Sequence, residues 1–171
     1  MPRRFLIAAA LSAMTLLPAL STASEDPHAG PAMNYRPVDD RLATGGHFVG
    51  DGAGQLAQDG LELVIDLREA PPEENGQRLK ALGIEYVHVP VSWESPTLAQ
   101  YEAFRDVMKK HSDKRVMVQC AANFRASAMT YLYRVLVDEV DEAAAAADRA
   151  AVWPLNDTWQ QYLDTVIAAQ K

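Results

Sequence analysis

Short apolar runs alternate along the chain with stretches whose apolar residues recur every three or four positions. The apolar runs predict strands near Leu42 and over residues 61–67, 84–91 and 116–118. The other stretches predict helices over residues 55–59, 73–82 and 141–152. Three more helices are predicted: one capped by Ser95 with Pro96 at its first position, one that starts at Arg125, and a last one capped by Asn156 or Asp157. Strands that alternate with helices indicate an α/β fold with a mainly parallel central sheet flanked by helices.

The N-terminus has the pattern of an export signal. Two arginines precede an apolar stretch that ends in small residues, so residues 1–23 are predicted to be a secretory signal peptide. The apolar stretch is short and contains Pro18, which argues against a membrane anchor that persists after cleavage. Residues 24–34, polar and rich in proline and small residues, are expected to form a flexible arm before a single domain over residues 35–171. The expected location is the periplasm or the exterior of the cell.

The charge of the chain limits its partners. Twenty-three acidic side chains outnumber 16 lysines and arginines, which gives a formal net charge of −7. This excess argues against nucleic acid as the main partner. An anionic substrate would have to be bound by a local pocket, and the sequence leaves the oligomeric state open.

The only cysteine, Cys120, lies between the last predicted strand and the helix from Arg125. The free N–H groups and the dipole of a helix N-terminus favour negative charge, and both favour the reactive thiolate. Arg125 adds a planar guanidinium suited to phosphate or sulfate oxygens. We therefore expect an anion cradle around a thiolate. Because parallel strands present their carboxyl ends at one edge, residues 66–68 and 92–94 should lie beside this cradle.

Segments along most of the predicted domain resemble the cysteine-based protein tyrosine phosphatases, in particular small bacterial members of the dual-specificity type. The segments are LATGGHF, LELVIDLRE, GIEYVHVPV, SPTLAQYEAF and VMVQCAANFRAS, in this order. The resemblance implies a phosphatase that forms a phosphocysteine at Cys120. The implied ligands of the phosphate oxygens are Arg125 and the N–H groups of Ala121, Ala122, Asn123 and Phe124. It also implies that the Ser127 hydroxyl bonds to the sulfur, while asparagine at position 123 tolerates positive φ.

The chain departs from the family pattern at three places. Four residues, not five, separate Cys120 from Arg125, and Gln119 stands where a histidine usually precedes the cysteine. The loop that usually supplies an aspartate as general acid reads Ser-Trp-Glu-Ser here, so Glu94 is the candidate acid and Asp66 the reserve. Asp66 has an alternative role as the ion-pair partner of Arg68.

These departures leave other functions open. The spacing of Cys120 and Arg125 is that of the rhodanese-like sulfurtransferases, and a shortened loop also suits an inactive module that binds phosphate or sulfate. The histidines are predicted to be structural or solvated, with His88 packed in its strand. No cluster has the spacing of metal ligands, so neither a metal nor a cofactor is expected. The expected partner is a phosphorylated or other oxyanion substrate.

Overall fold

The computed structural model describes residues 26–170, so the predicted signal peptide lies outside the described residues. Five strands and six helices follow one another in these residues. They are β1 (Arg36–Pro37), β2 (Leu42–Gly45), α1 (Gly52–Gln58), β3 (Leu63–Asp66), α2 (Asn75–Ala81), β4 (Glu85–His88), α3 (Leu98–Lys110), β5 (Val116–Gln119), α4 (Phe124–Leu136), α5 (Glu142–Ala150) and α6 (Asp157–Gln170).

A single five-stranded sheet in the order β1-β2-β5-β3-β4 organises the domain. The strands β2, β5, β3 and β4 are parallel, and only β1 pairs in the antiparallel direction. Gly45 and Asp66 both lie opposite Gln119, the last residue of β5. The carboxyl ends of three neighbouring strands therefore meet directly beside Cys120, at the edge where parallel sheets bind ligands. The predicted fold class is confirmed.

The central strands β2, β5 and β3 are buried on both faces, which explains why β3 and β5 are apolar except at their last residue. Side chains alternate between the faces along a strand, so Val116 and Val118 join one core cluster and Met117 the other. The larger cluster includes Phe104 of α3 and Trp159 of α6, both fully buried. The sheet edge that carries Cys120 is thus supported from both sides.

Helix α3 begins two residues later than the sequence pattern predicted. Thr97, not Ser95, is its N-cap: the Thr97 hydroxyl accepts the N–H of Gln100, and the Gln100 side chain accepts the N–H of Thr97. This reciprocal capping box satisfies two backbone donors at the start of the helix. The predicted cap was wrong.

Residues 26–34 are packed against the domain instead of forming the expected flexible arm. Ala32 is completely buried, and the backbone of Met33 exchanges hydrogen bonds with His47 and Gly46 at 2.9 and 2.7 Å. The Asn34 side chain donates to the carbonyl of Ala122 at 3.0 Å. The segment therefore supports the loop after Cys120. Among residues 26–170, no helix is long and apolar enough to cross a membrane.

Candidate active site

Cys120 follows β5 directly and is almost completely buried, with 1% of its surface exposed. Its N–H donates to the carbonyl of Gly45 at 3.0 Å, which continues the parallel ladder by one residue. Helix α4 begins at Phe124, one residue before the predicted start. Only three residues therefore connect the thiol to the first turn of a helix.

Asn123 makes this short connection possible. It has a left-handed conformation, with φ of 70°, as the sequence led us to expect of an asparagine there. Its side chain does not cap α4 but donates to the carbonyl of Asn34 at 2.6 Å and to the hydroxyl of Thr44 at 3.0 Å. Because no side chain caps α4 within the described residues, the N–H groups of its first turn remain available to an anion.

The loop is fixed from the other side by the segment that follows β2. Both the N–H and the ring Nδ1 of His47 lie 3.0 Å from the carbonyl oxygen of Ala121, and Gly46 pairs with Ala122 in an isolated bridge. A Cβ on Gly46 would lie 2.6 Å from that carbonyl oxygen and 2.9 Å from the Cα of Ala122. The structure therefore requires a glycine at position 46 for this close approach.

Arg125 is buried in the first turn of α4, with 11% of its side chain exposed. Its Nη1 donates to the carbonyl of Val91 at 2.9 Å and to Oε2 of Glu69 at 3.3 Å. No residue between 26 and 170 accepts a hydrogen bond from Nε or Nη2. One edge of the guanidinium is thus anchored by the protein, while the edge suited to bidentate oxyanion binding has no protein partner.

Glu69 is the residue of this site that the sequence analysis missed. Its Oε2 accepts both from Arg125 and from the N–H of Trp93 at 3.3 Å, and 54% of its side chain is exposed. The turns after β3 and β4 and the loop after β5 therefore converge, as predicted. The available signal was an acidic residue just beyond the carboxyl end of a buried strand, and it was overlooked in favour of Asp66.

Asp66 lies under the site in a saturated polar network and is completely buried. It forms an ion pair with Arg68 at 2.6 Å and accepts from the hydroxyl of Tyr86 at 3.0 Å and from the Asn75 side chain at 3.3 Å. Burial alone would lower the pKa of Arg68, but the hydrogen bond and charge of Asp66 outweigh burial and raise it. Asp66 is thus the ion-pair partner of Arg68, the alternative to a role as general acid.

Gln119 connects this network to the loop. Its Nε2 donates to the carbonyl of Gly46 at 3.0 Å, and its Oε1 accepts from Asn75 at 3.3 Å and from Arg68 at 3.5 Å. Gln119, which stands where the family usually has a histidine, therefore provides a partner both for the Gly46 carbonyl and for the side-chain donors of Asn75 and Arg68.

The surroundings of three other residues, Glu94, Ser127 and His88, differ from those that the sequence predicted. Glu94 is exposed, and within the described residues no hydrogen bond joins it to the cradle. The Ser127 hydroxyl donates to the carbonyl of Phe124 at 3.0 Å, not to the sulfur. His88 is exposed, with its ring Nε2 2.7 Å from the carbonyl of Arg68, so the prediction that it packs in its strand was wrong. Strand β4 lies at the edge of the sheet, and an edge strand leaves room for an exposed side chain.

Aromatic side chains brace both loops that border the site. The ring of Phe124 stacks on Trp153 at 4.9 Å, and the Trp153 indole donates to the Phe124 carbonyl at 3.1 Å. The indole of Trp159 donates to the carbonyl of Trp93 at 3.1 Å. These contacts fix the start of α4, which carries Arg125, and the loop that contacts Glu69. Within residues 26–170, no group of three or more potential metal ligands lies together.

A protein-family model described as a DSP-PTPase phosphatase fused to NAD⁺ kinase matches residues 15–162. The chain belongs to this family. The kinase in that description is the other half of the fusion and is not attributed to this chain. The resemblance to cysteine-based phosphatases of the dual-specificity type is therefore confirmed. A comparison with curated protein sequences gave no match.

Solved structures of phosphatases share the fold. A candidate phosphatase from Shewanella putrefaciens is 28% identical, with a TM-score of 0.69 over 80% of this chain and 92% of that one. The catalytic domain of the PP-IP phosphatase SIW14 from S. cerevisiae, solved with citrate, is 16% identical, with a TM-score of 0.66 over 78% of this chain and 85% of that one. The yeast structure shows a likeness in fold alone, whereas the family membership supports a cysteine-type phosphatase.

Proposed function

We propose that the protein hydrolyses phosphomonoesters through a phosphocysteine intermediate. The observation that carries this proposal is the state of Arg125: Nη1 is anchored by Val91 and Glu69, while Nε and Nη2 have no acceptor within residues 26–170. A guanidinium held in this way is ready to bind two oxygens of one phosphoryl group without reorganising. It belongs to the first turn of the helix that follows the Cys120 loop.

The proposed reaction gives each part of the cradle a role. The Cys120 thiolate attacks phosphorus, and the loop and first-turn N–H groups, from Ala121 to Phe124, stabilise the equatorial oxygens together with Arg125. Water then cleaves the phosphocysteine and releases inorganic phosphate. Ser127 would assist the second step only after its hydroxyl leaves the Phe124 carbonyl and turns to the sulfur.

The shortened spacing is compatible with this proposal. With one residue fewer than the usual signature, α4 starts at Phe124, and Asn123 supplies the left-handed turn that redirects the chain. Arg125 remains on the first turn of the helix and beside the turns after β3 and β4. These features support a cradle that needs no fifth intervening residue.

The direct test is hydrolysis of p-nitrophenyl phosphate by the purified chain without residues 1–23. We expect activity that falls to background in Cys120→Ser, and a strong loss in Arg125→Lys because lysine keeps the charge but not the fork. Thiocyanate formation from thiosulfate and cyanide would instead identify a sulfurtransferase. A melting temperature raised by phosphate with neither activity would identify a binding module, because a ligand of the folded state stabilises it.

We also propose that the protein acts outside the cytoplasm. The support is the N-terminal sequence, in which a basic start and an apolar stretch precede Ser21, Thr22 and Ala23. Expression of the full chain in a bacterium, followed by fractionation and N-terminal sequencing, should give a periplasmic or secreted product cleaved near Ala23. An uncleaved cytoplasmic product would contradict this location.

A further inference from the structure

We propose that Glu69 is the general acid that protonates the leaving group, an assignment that rests on the phosphatase activity proposed above. The leaving oxygen of a phosphomonoester needs a proton, and the loop that usually supplies an aspartate contains none here. The structure offers a different carboxylate for this task.

The depth of the side chains in the site determines where this acid must lie. Cys120 is almost completely buried with 1% exposed, 11% of the Arg125 side chain is exposed, and Glu69 is half-exposed at 54%. Phosphoryl transfer is in line, so the leaving oxygen departs on the side opposite the attacking sulfur. With a buried sulfur as the attacking group, we expect the leaving oxygen on the more exposed side of the site, and Glu69 is the half-exposed carboxylate that contacts Arg125.

The contacts of Glu69 keep it at the mouth of the site. Only Oε2 is engaged, by Arg125 and by the backbone of Trp93, both at 3.3 Å. No residue between 26 and 170 bonds to Oε1, which leaves one carboxyl oxygen to approach a substrate. Two donors at 3.3 Å also make long hydrogen bonds, so the carboxyl group can shift when an oxyanion binds.

The other two carboxylates considered from the sequence fit this role less well. Asp66 is completely buried and its oxygens already accept from Arg68, Tyr86 and Asn75. Glu94 is exposed, and no hydrogen bond within the described residues ties it to the cradle. Glu69 is the carboxylate that touches the oxyanion-binding guanidinium.

The proposed steps balance in atoms and charge. Glu69 enters the reaction protonated on Oε1, the oxygen that has no protein partner within the described residues. The Cys120 sulfur forms a bond to phosphorus, the bond from phosphorus to the ester oxygen breaks, and its electron pair stays on that oxygen, which takes the proton from Glu69 Oε1. The alcohol or phenol leaves. The Glu69 carboxylate then accepts a proton from water as that water attacks the phosphocysteine, which restores the acid and the thiolate and yields phosphate.

The leaving group provides the test. The variant Glu69→Gln keeps an oxygen that can accept from Trp93 and Arg125 but has no proton to give. We expect its kcat/KM to fall on the order of a hundredfold with phenyl phosphate, whose leaving phenolate is a strong base, and only a few-fold with p-nitrophenyl phosphate. The exposed Glu73→Gln is the matched control and should leave both rates unchanged.

The possible results separate this assignment from the phosphatase proposal. An equal loss with both esters would overturn it, since Glu69 would then only position Arg125. A leaving-group-dependent loss in Glu94→Gln but not in Glu69→Gln would assign the acid to Glu94. Absence of Cys120-dependent hydrolysis of either ester by the wild-type protein would instead refute the phosphatase, and the role of Glu69 with it.

Discussion

Replacing Asp66 with asparagine should destabilise the protein severely, because it leaves a buried cation without its counter-charge. Asp66 is completely buried and binds Arg68 at 2.6 Å, the hydroxyl of Tyr86 at 3.0 Å and the side chain of Asn75 at 3.3 Å. Asparagine has the same shape but only one acceptor oxygen and no charge, so the partly buried donors that share the two oxygens of Asp66 compete for one, and those left over lose this partner. Each such loss costs about 1 to 3 kcal/mol.

The expected total agrees with what is known of broken buried ion pairs, about 3 to 5 kcal/mol. This is a large part of the about 5 to 15 kcal/mol by which domains of this size are stable. At about 3 °C per kcal/mol, the melting temperature should fall by about 10 to 15 °C.

Urea denaturation followed by circular dichroism measures this change, and Asp106→Asn is the matched control. Asp106 pairs with Arg105 at 2.9 Å, but 67% of its side chain is exposed. An exposed pair of this kind contributes at most about 1 kcal/mol. If Asp66→Asn lowers the free energy of unfolding no more than Asp106→Asn, then the network under Cys120 does not hold the sheet edge and the argument is wrong.

Two further predictions concern the loop and the alkaline stability. Gly46→Ala should reduce kcat/KM on the order of a hundredfold, because its Cβ would displace the Ala121 backbone by a distance approaching 1 Å. The control Gly50→Ala, at φ of 55° with no atom within 4 Å, should lower only the melting temperature. Equal values of kcat/KM in the two variants would contradict this prediction. Burial, and for Tyr86 also the charge of Asp66, raises the pKa of Tyr86 and Tyr101 to about 12, whereas unfolded tyrosines titrate near 10. The unfolded chain therefore loses these protons first, so the free energy of unfolding should fall between pH 10 and 12 and fall less steeply in Tyr101→Phe; the same slope in both proteins would refute this reading.

Local patterns were enough to predict the elements but not their arrangement. The apolar run 116–118 and the helical stripe after it correctly indicated β5 and α4, because burial on both faces of a sheet leaves a continuous apolar signal. The sheet order β1-β2-β5-β3-β4 depends on contacts between segments far apart in the chain. The Thr97–Gln100 capping box was readable from the sequence, but the Ser95-Pro96 pair offered a competing helix start.

The residues of the site were predictable where one segment determines them and not where three segments meet. Cys120, Asn123 and Arg125 belong to a single loop, and their spacing alone indicated an anion cradle. Glu69 acquires its position only because the turn after β3 reaches both Arg125 and the backbone of Trp93. Its place just beyond the carboxyl end of β3 was a signal in the sequence, but the sequence does not show which loops the Glu69 side chain contacts.

Two of the three departures from the usual phosphatase pattern, Gln119 and the shortened loop, are connected through one structural element. Gln119 donates to the carbonyl of Gly46, and the loop after Cys120 packs on Gly46 so closely that a Cβ would not fit. The same Gln119 accepts from Asn75 and Arg68, both of which bind Asp66. A buried polar network thus holds the segment around Gly46, which supports the shortened loop. Because every member of this network has a hydrogen-bond partner, the network restricts the loop to one conformation. We infer that the glutamine and the shorter loop depend on each other. Restoring histidine at position 119 should disturb the loop although histidine is the usual residue there, because the single acceptor lone pair of a neutral imidazole that donates to Gly46 can serve only one of Asn75 and Arg68.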